Sequence, residues 1–180
     1  MSSTHQRDPE LFDVVNEKDE VVAQAPRQEV HTLGLLHRAV HAFVFNHKGE
    51  VFLQQRSWTK DTAPGRWVSA CSGHVDAGEN YDTAIRREML EELGIIAPDN
   101  MRCCHYEHAC RETGNEFVKL YLADYSGEFK LDPEEIIDGK WISTEDLNRW
   151  ISERPRDFAW SFTHLWARYR DGQLRDSGCT

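Results

Sequence analysis

The sequence predicts one α/β domain in which helices cover both faces of a mixed β-sheet. Two observations carry this prediction. Short apolar runs of strand length alternate with longer stretches of helical periodicity, and two helical stretches close the chain. The chain also has 180 residues, which is enough for one domain with a sizeable core and too few for a second full domain. Periodicity indicates the class of fold, but it leaves the order of the strands open.

The N-terminal half is predicted to hold a β-hairpin and then the first strands of the sheet. Residues 1–9 are polar and are expected to form a flexible tail, and residues 10–175 are expected to form the single domain. Within 11–25, two apolar runs flank the polar turn NEKDE, which is typical of a β-hairpin. A short helical turn is expected within 26–36. Three further strands are predicted over residues 39–45, 51–55 and 68–71.

The C-terminal half is predicted to complete the sheet and to end in two helices. Apolar runs on either side of the polar turn RETGN indicate two strands, and a third strand is expected around Trp141. Thr144 is the candidate N-cap of the helix that follows this strand. The predicted elements are strands 101–107, 117–123 and 140–142 and helices 144–153 and 162–170.

The stretch 73–95, GHVDAGENYDTAIRREMLEELGI, combines a loop with an acidic helix. Either Asn80 or Glu79 can cap the start of the helix, because both side chains can accept hydrogen bonds from its first amides. Gly94 suits the left-handed conformation in which helices often end. The pattern therefore predicts a helix that begins near residue 80 and ends at Gly94.

Two faces of this helix differ in chemistry. Ile85, Met89 and Leu93 recur at i, i+4 and i+8, and this apolar stripe predicts packing against the sheet. Three carboxylates gather on another face, within about 100° of one another; they belong to Glu88, Glu91 and Glu92. Like charges this close destabilise a helix, and a hard divalent cation such as Mg²⁺ or Mn²⁺ would reverse that cost. Taken alone, the run is also typical of a solvated charged face.

The order of residues across 73–95 resembles the signature of the Nudix family, G-x5-E-x7-R-E-U-x-E-E-x-G-U, in which U is a bulky aliphatic residue. Every fixed position has its match here, at Gly73, Glu79, Arg87, Glu88, Met89, Glu91, Glu92, Gly94 and Ile95. The resemblance implies the Nudix-type α/β/α sandwich with a central mixed sheet. It also implies that the loop-helix catalytic motif lies on one side of that sheet, with the substrate bound across it.

The resemblance implies an activity as well. Nudix hydrolases use Mg²⁺ or Mn²⁺, held by the glutamates that match Glu88, Glu91 and Glu92, to cleave a diphosphate linkage in a small molecule. A nucleoside diphosphate linked to another group is such a substrate. Water attacks one phosphorus atom, and a carboxylate accepts its proton. We expect Glu91 or Glu92 to be this base, with Glu116 or Glu135 as alternatives.

Further site residues are expected around the signature. Arg87 belongs to the catalytic set because its guanidinium can hold Glu79 or Glu91 in place through a bidentate pair. Glu135 resembles an acidic position that many family members place near the metals, although a charge pair at a strand edge is an equal alternative. Three cations and one aromatic ring are expected to meet the substrate: Arg56, Lys60, Arg66 and Trp67. The alternative is that the cations are solvated surface charges and that the ring belongs to the core.

Outside the signature, the chain resembles one branch of the family, the isopentenyl-diphosphate isomerases. The similar stretches are LHRA at 36–39, FVFN at 43–46, QQR at 54–56, PGRW at 64–67 and GH at 73–74. In those isomerases, histidines that match His37 and His74, another near His31, and a glutamate that matches Glu116 bind a second metal. The resemblance therefore places His74 beside the substrate and Glu116 among the catalytic residues.

Three departures favour a hydrolase over an isomerase. Ser72 directly precedes the Gly-His pair, where the isomerases have a catalytic cysteine, and Cys71 lies one residue earlier. A shift of one residue moves a side chain to the opposite face of a strand. Gly114 replaces a second glutamate of the isomerases, and the signature glutamates that they usually lose are all present here. An isomerase and a non-catalytic diphosphate-binding sensor remain the alternatives.

Composition bounds the partners and the compartment. A net charge of −10 opposes binding to duplex nucleic acid, which usually needs clustered Lys and Arg. The five cysteines are odd in number and suggest no disulfide framework, so we expect a cytoplasmic protein in a reducing compartment. No signal sequence or membrane-spanning run is expected. The family often dimerises, so a homodimer is a further expectation.

Overall fold

The computed structural model describes residues 10–179, so the tail expected over residues 1–9 lies outside the described residues. The strands are β1 Leu11–Val15, β2 Val21–Pro26, β3 His37–Phe45, β4 Val51–Arg56, β5 Trp67–Ser69, β6 Cys71–His74, β7 Arg102–Glu107, β8 Glu116–Asp124 and β9 Ile136–Ile142. The helices are α1 Arg27–Leu33, α2 Tyr81–Leu93, α3 Thr144–Glu153 and α4 Trp160–Arg170, with a 3₁₀ helix over Pro155–Asp157. No described helix has the length and apolar character needed to cross a membrane.

The central sheet is mixed. Its strands follow the order β5-β4-β3-β8-β7, with β6 paired to β3 and β9 paired to β4. The neighbours β3 and β8 run parallel, with His37 opposite Glu116, whereas β3 and β6 run antiparallel, with Ala39 opposite His74. The hairpin of β1 and β2 forms a separate two-stranded sheet, as expected. The register of β3 therefore brings polar residues of three strands to one end of the sheet.

Helices pack on both faces of this sheet, which confirms the predicted fold class. Alternate residues of β3 point to opposite faces. Val40 and Ala42 belong to a core that includes Ile85, Met89 and Leu93 of α2, the predicted apolar stripe. Ala39 and Phe43 belong to a second core on the other face. The α4 residues in that second core are Phe162, Leu165 and Trp166.

The ends of α2 agree with the sequence pattern. The Asn80 side chain accepts a hydrogen bond from the Thr83 amide at 2.9 Å, so Asn80 is the N-cap and Glu79 is not. Gly94 has a φ of 66°, in the left-handed region that favours glycine, and its amide donates to the Leu90 carbonyl. Both caps are local, which is why the sequence alone could indicate them.

Several predicted boundaries were wrong. The predicted strand 68–71 is two strands, because Trp67–Ser69 pairs with β4 and Cys71–His74 pairs with β3. The N-cap of α3 is Ser143, whose hydroxyl accepts from the Asp146 amide at 3.1 Å, and Thr144 is already helical. The last helix begins at Trp160, two residues before the predicted start at residue 162, and Trp160 is 62% exposed.

A disulfide joins Cys103 to Cys179, contrary to the expectation of no disulfide. Cys103 and Cys104 are adjacent on β7, but alternation along a strand points their side chains to opposite faces. Cys104 is buried in the second core, and this leaves Cys103 free to pair with the end of the chain. The Tyr106 amide also donates to the Arg175 carbonyl at 2.8 Å. The domain therefore extends past its expected end at residue 175, because the disulfide fastens Cys179 to β7 as well.

One carboxylate fastens the hairpin to the rest of the domain. Asp19 lies in the turn between β1 and β2, and its carboxylate accepts hydrogen bonds from Arg38 at 2.6 Å, Tyr81 at 2.8 Å and Tyr106 at 2.9 Å. These partners belong to β3, α2 and β7. Arg38 also donates to the Asp19 carbonyl at 2.6 Å. The turn is therefore held against three elements at once.

We predict that Asp19→Ala lowers the free energy of unfolding by roughly 2–4 kcal/mol, because it leaves a guanidinium and two tyrosine hydroxyls without their acceptor. Urea denaturation followed by circular dichroism measures the change. Asp99→Ala is the control, because Asp99 is exposed in a loop. Equal losses in the two variants would show that the Asp19 contacts do not stabilise the fold.

Candidate active site

Most of the predicted site residues line one large cavity of about 910 Å³. Its walls come from the signature loop-helix, from β3 and β6, from the loop after β4 and from the start of α4. The predicted residues that line it are Arg56, Lys60, His74, Arg87, Glu88, Glu91, Glu92, Glu116 and Glu135. Because these residues are spread over much of the sequence, only the folded chain brings them together.

Arg66 and Trp67 do not line this cavity, contrary to their predicted place beside the substrate. Val68 faces the large cavity, and alternation along β5 turns Trp67 to the opposite side. Trp67 is 6% exposed and packs edge-on against Trp150, with 5.5 Å between the ring centres. Arg66 and Trp67 instead line a second cavity of about 420 Å³.

Arg87 connects the signature loop to the carboxylates of α2. Its guanidinium donates two hydrogen bonds to Glu79, at 2.8 and 3.1 Å, and one to Glu88 at 2.6 Å. It donates further to Glu91 at 3.2 Å and to the His74 carbonyl at 3.0 Å. Arg87 therefore orients several predicted site residues.

Gly73 permits a close approach between β6 and α2. A Cβ atom at this position would lie 2.1 Å from the Glu88 carboxyl carbon and 2.2 Å from one of its oxygens. Any side chain here would displace the Glu88 carboxylate from the cavity wall. The first position of the signature is therefore glycine because the Glu88 carboxylate occupies the space that a side chain would need.

Glu88 and Glu92 are buried acids on the same wall. Burial raises the pKa of Glu88 to about 8, and the charge of Glu92 adds to the rise, although Arg87 opposes it. Burial also raises the pKa of Glu92 to about 7, against hydrogen bonds that lower it. Those bonds come from the Ser72 amide at 3.1 Å and from Gln54 at 2.7 Å. Both acids are thus placed where negative charge is unfavourable without a cation.

Sequence reasoning missed Gln54, which holds Glu92 and also donates to the Ala70 carbonyl at 3.2 Å. A weak signal for it existed, because Gln54 directly follows the apolar run 51–53 inside a predicted strand. The structure shows it only 1% exposed. A polar residue at a buried strand position needs a hydrogen-bonding partner. That partner could not be named from the sequence, because Glu92 is remote along the chain.

The predicted phosphate-binding cations already have partners. Lys60 pairs with Glu135 across the large cavity, so a predicted cationic residue and a predicted metal ligand contact each other. Arg56 donates to the Thr62 carbonyl at 2.9 Å and to its hydroxyl at 3.1 Å, within the loop that follows β4. The loop and its two cations therefore form one side of the large cavity.

Three histidines and one carboxylate meet in the same cavity. The ligand atoms of His31, His37, His74 and Glu116 all lie within 4.8 Å of one another. His74 Nε2 is 3.1 Å from Glu116, His37 Nε2 is 3.4 Å from Glu116, and His31 Nε2 is 3.3 Å from His74 Nε2. Burial works to raise the pKa of Glu116, but His37 and His74 lower it by more, so its carboxyl group stays ionised.

This histidine cluster fits a divalent metal. Within the described residues, the buried atoms His37 Nε2 and His31 Nδ1 make no hydrogen bond of normal geometry. Each lies near a carboxylate, Glu116 at 3.4 Å and Asp61 at 3.5 Å, so a bound cation would complete their polar contacts. Burial lowers the pKa of His31, and the neighbouring His74 and His37 lower it further, which favours the neutral ring that ligates metals. Imidazole and carboxylate together suit Mn²⁺ and other transition metals.

The three signature glutamates lie on the wall of the same cavity but have separate partners. Glu92 is held by Gln54 and the Ser72 amide, whereas Glu88 and Glu91 are held by Arg87. Within residues 10–179, the donor atoms of the four-residue histidine cluster converge closely enough to hold one metal ion, whereas those of the three glutamates do not. A cation at the glutamates would thus have to compete with Arg87 and Gln54.

Cys71 faces away from the large cavity. Its side chain is fully buried in the core against α2, whereas Ser72 lines the cavity. Burial raises the pKa of the Cys71 thiol, and the charges of Glu92 and Glu88 raise it further. The structure therefore agrees with the strand argument that placed this thiol on the opposite face.

The NUDIX domain model matches residues 35–162, well over half of the chain. This chain belongs to the Nudix family. The match contains the signature loop-helix and the strands that carry His37, His74 and Glu116. The hairpin of β1 and β2 and helix α1 with His31 lie before it.

The Nudix relatives that match this chain at about the same sequence identity are named either as hydrolases or as isomerases. An uncharacterised Nudix hydrolase of Yersinia pestis is 35% identical over 141 residues, which cover 77% of this chain and 75% of the relative. The isopentenyl-diphosphate Delta-isomerase 2 of Photorhabdus laumondii is 30% identical over 149 residues, or 81% and 84% of the two chains. The crystal structure of DR0079 from Deinococcus radiodurans has 30% identity and a TM-score of 0.73, covering 81% of this chain and 90% of that one.

We predict that Arg87→Lys weakens both the fold and the binding of a cation at the signature glutamates. An ammonium cannot reproduce the forked contacts to Glu79, so the free energy of unfolding should fall by roughly 1–3 kcal/mol and Mn²⁺ affinity by roughly tenfold. Urea denaturation and calorimetric titration with Mn²⁺ measure these changes. Arg86→Lys is the matched control, since Arg86 is exposed on the same helix. Indistinguishable variants would exclude the orienting role of Arg87.

We also predict a pH dependence of the metal-free protein. Glu88 and Glu92 have raised pKa values when folded, so their contribution to stability is present at acidic pH and is lost as they ionise. In EDTA, the melting temperature should therefore fall between about pH 5 and about pH 9. Added Mg²⁺ or Mn²⁺ should stabilise the protein more at the alkaline end, because it binds ionised carboxylates. Scanning calorimetry measures both effects.

The control for this pH dependence is Glu88→Gln, which removes one ionisation while keeping the shape of the side chain. Its melting temperature should depend less steeply on pH than that of the wild type. If both proteins lost stability equally on going to alkaline pH, the buried glutamates would not be the cause.

Proposed function

We propose that this Nudix protein is a divalent-metal-dependent hydrolase that cleaves a diphosphate linkage in a small molecule. One observation carries the proposal: the intact signature carboxylates, two cationic side chains and the histidine cluster all line a single cavity. Its volume of about 910 Å³ is large enough for a nucleoside diphosphate linked to another group. The uncharacterised hydrolase relative agrees with this proposal.

The side chains of the cavity have distinct roles in the proposed reaction. Arg56 at the end of β4 and Lys60 in the loop after it border one side of the cavity and would bind the outer phosphate oxygens. Glu92 is our first candidate for the general base, because it lines the cavity and its carboxylate is held in place by Gln54 and the Ser72 amide. Glu91 is the second candidate, since its side chain is 56% exposed and meets the cavity directly. Arg87 orients both the loop and the carboxylates.

Two groups of side chains would hold cations. Glu88, Glu91 and Glu92 are proposed for Mg²⁺ or Mn²⁺, and Glu135 could join them once Lys60 turns to a phosphate. The histidine cluster is proposed for a second ion of the Mn²⁺ type. When bound, such ions neutralise phosphate charge and acidify a bound water. Within the chain, Glu116 stays ionised and the neutral His31 ring offers a nitrogen, which suits ligation.

An isomerase that interconverts isopentenyl and dimethylallyl diphosphate is the second candidate. The histidine cluster favours it, and so does the Photorhabdus laumondii relative. The position of the thiol argues against it, because Cys71 is buried away from the cavity and Ser72 lines the wall in its place. A hydroxyl is far less acidic than a thiol, so Ser72 is poorly suited to transfer a proton to or from carbon. A homodimer remains a prediction within this proposal. A cytoplasmic location remains one too, but the Cys103–Cys179 disulfide removes the cysteine argument for a reducing compartment.

The deciding experiment is a substrate panel assayed with Mg²⁺ and with Mn²⁺. Nucleotide sugars, dinucleotides, nucleoside triphosphates and prenyl diphosphates are scored for both hydrolysis and isomerisation. We predict hydrolysis of at least one class, and a loss of roughly 10²–10⁴-fold in turnover for Glu92→Gln, because a positioned base contributes that much. Glu153→Gln, exposed at the end of α3, is the matched control and should keep wild-type turnover.

Three outcomes would contradict the hydrolase proposal. Interconversion of the prenyl diphosphates that disappears in Cys71→Ala would establish the isomerase. Tight calorimetric binding of a diphosphate without any product would establish a sensor. Hydrolysis that is identical in wild type and Glu92→Gln would place the chemistry elsewhere.

A further inference from the structure

The second cavity, of about 420 Å³, lies behind the loop that borders the large one. Within the loop of residues 57–66, Lys60 and Ala63 face the large cavity, whereas Trp58 and Gly65 face the second. The opposite wall of the second cavity is the end of α3 and the 3₁₀ helix. The two cavities are thus separate spaces on the two sides of one loop.

The second cavity is rich in positive charge although the whole chain has a net charge of −10. Its lining has three arginines, Arg66, Arg154 and Arg156, against one acid, Asp157. Asp157 is already engaged, because it accepts from the Trp150 indole at 2.7 Å and pairs with Arg154 at 3.0 Å. Within residues 10–179, Arg66 and Arg156 have no carboxylate partner. Both are exposed, so two guanidinium groups border this cavity with no carboxylate bound to them.

An aromatic ring lies beside these arginines and is held in place. Trp58 is 70% exposed, which is unusual for the largest apolar side chain. Part of its ring rests on Gly65, where an added Cβ would lie 2.2 Å from the ring. Gly65 has a φ of 69°, in the left-handed region, so both the turn and the ring contact require glycine. Trp58 is therefore positioned by its own loop and still offers most of its surface.

We propose that the second cavity binds a small molecule that combines a planar aromatic ring with a phosphate, as a nucleoside monophosphate does. The ring stacks on Trp58, and the phosphate lies between Arg66 and Arg156. Guanidinium groups match phosphate oxygens with forked hydrogen bonds, and stacking on tryptophan tolerates any planar ring. The cavity volume lies in the usual range for small-molecule sites. This site is independent of the proposed hydrolase reaction.

The test is a titration of the full-length protein with AMP in EDTA, followed by calorimetry and by quenching of tryptophan fluorescence. AMP has no diphosphate linkage, and EDTA removes the cations that would hold a phosphate at the glutamates. We expect saturable binding at one site. Arg66→Ala combined with Arg156→Ala should weaken it by roughly tenfold or more, since two charge-assisted contacts are lost. Trp58→Ala should weaken it by a similar factor and abolish most of the quenching.

Two control variants separate the cavities. Lys60→Ala alters the large cavity from the same loop and should leave AMP affinity unchanged. Arg149→Ala removes an exposed arginine of α3 outside the second cavity, and it too should bind AMP like the wild type. Circular dichroism melting curves confirm that each variant is folded.

Further ligands test the chemistry of the site. Adenosine and ribose 5-phosphate each lack one half of the recognised pattern and should bind at least roughly tenfold more weakly than AMP. Phenyl phosphate distinguishes a nucleotide site from a general aryl phosphate site. If it binds as tightly as AMP, the site recognises aryl phosphates in general. The proposal is overturned if AMP shows no saturable binding, or if binding survives the double arginine variant. Binding that is lost only in Lys60→Ala would place AMP in the large cavity and overturn it as well.

Discussion

The guanidinium of Arg87 is the contact on which the site depends. It holds Glu79 in the loop, Glu88 and Glu91 on the helix, and the backbone carbonyl of His74 at the end of β6. A single planar cation thereby fixes a loop, a helix and a strand relative to one another. Without it, acids gathered on one side of α2 would repel each other, and the loop would keep only its contacts with the hairpin and β3. Gly73 completes the arrangement because its missing side chain leaves room for Glu88.

The histidine cluster depends on strand register in the same way that the carboxylates depend on Arg87. Parallel pairing of β3 and β8 sets His37 opposite Glu116, and antiparallel pairing of β3 and β6 sets His74 opposite Ala39. Helix α1 then supplies His31 from a different part of the chain. A slip of one residue in either pairing would turn a ligand to the other face of the sheet. The two candidate metal sites are therefore built by different means, but they share one cavity.

The distinction between hydrolase and isomerase comes down to the alternation of side chains along β6. Ser72 faces the large cavity, and Cys71 packs into the opposite core beside Met89. The same alternation along β5 sends Val68 into the large cavity and Trp67 out of it. Two short strands thus decide which chemical groups line the large cavity. They also explain why the PGRW motif contributes to a second cavity.

The sequence by itself determined the α/β class, helix α2 with its terminal Gly94, and the set of acids that the helix carries, because each follows from periodicity and spacing within a few residues. It narrowed the N-cap to Asn80 or Glu79, and the structure identified Asn80. Only the tertiary structure decided the partners: Lys60 with Glu135, Cys103 with Cys179, and the place of Arg66 in the second cavity. The first two join residues that are remote along the chain. The third depends on which cavity each face of a short strand borders. They depend on strand register and loop path, which no local pattern records.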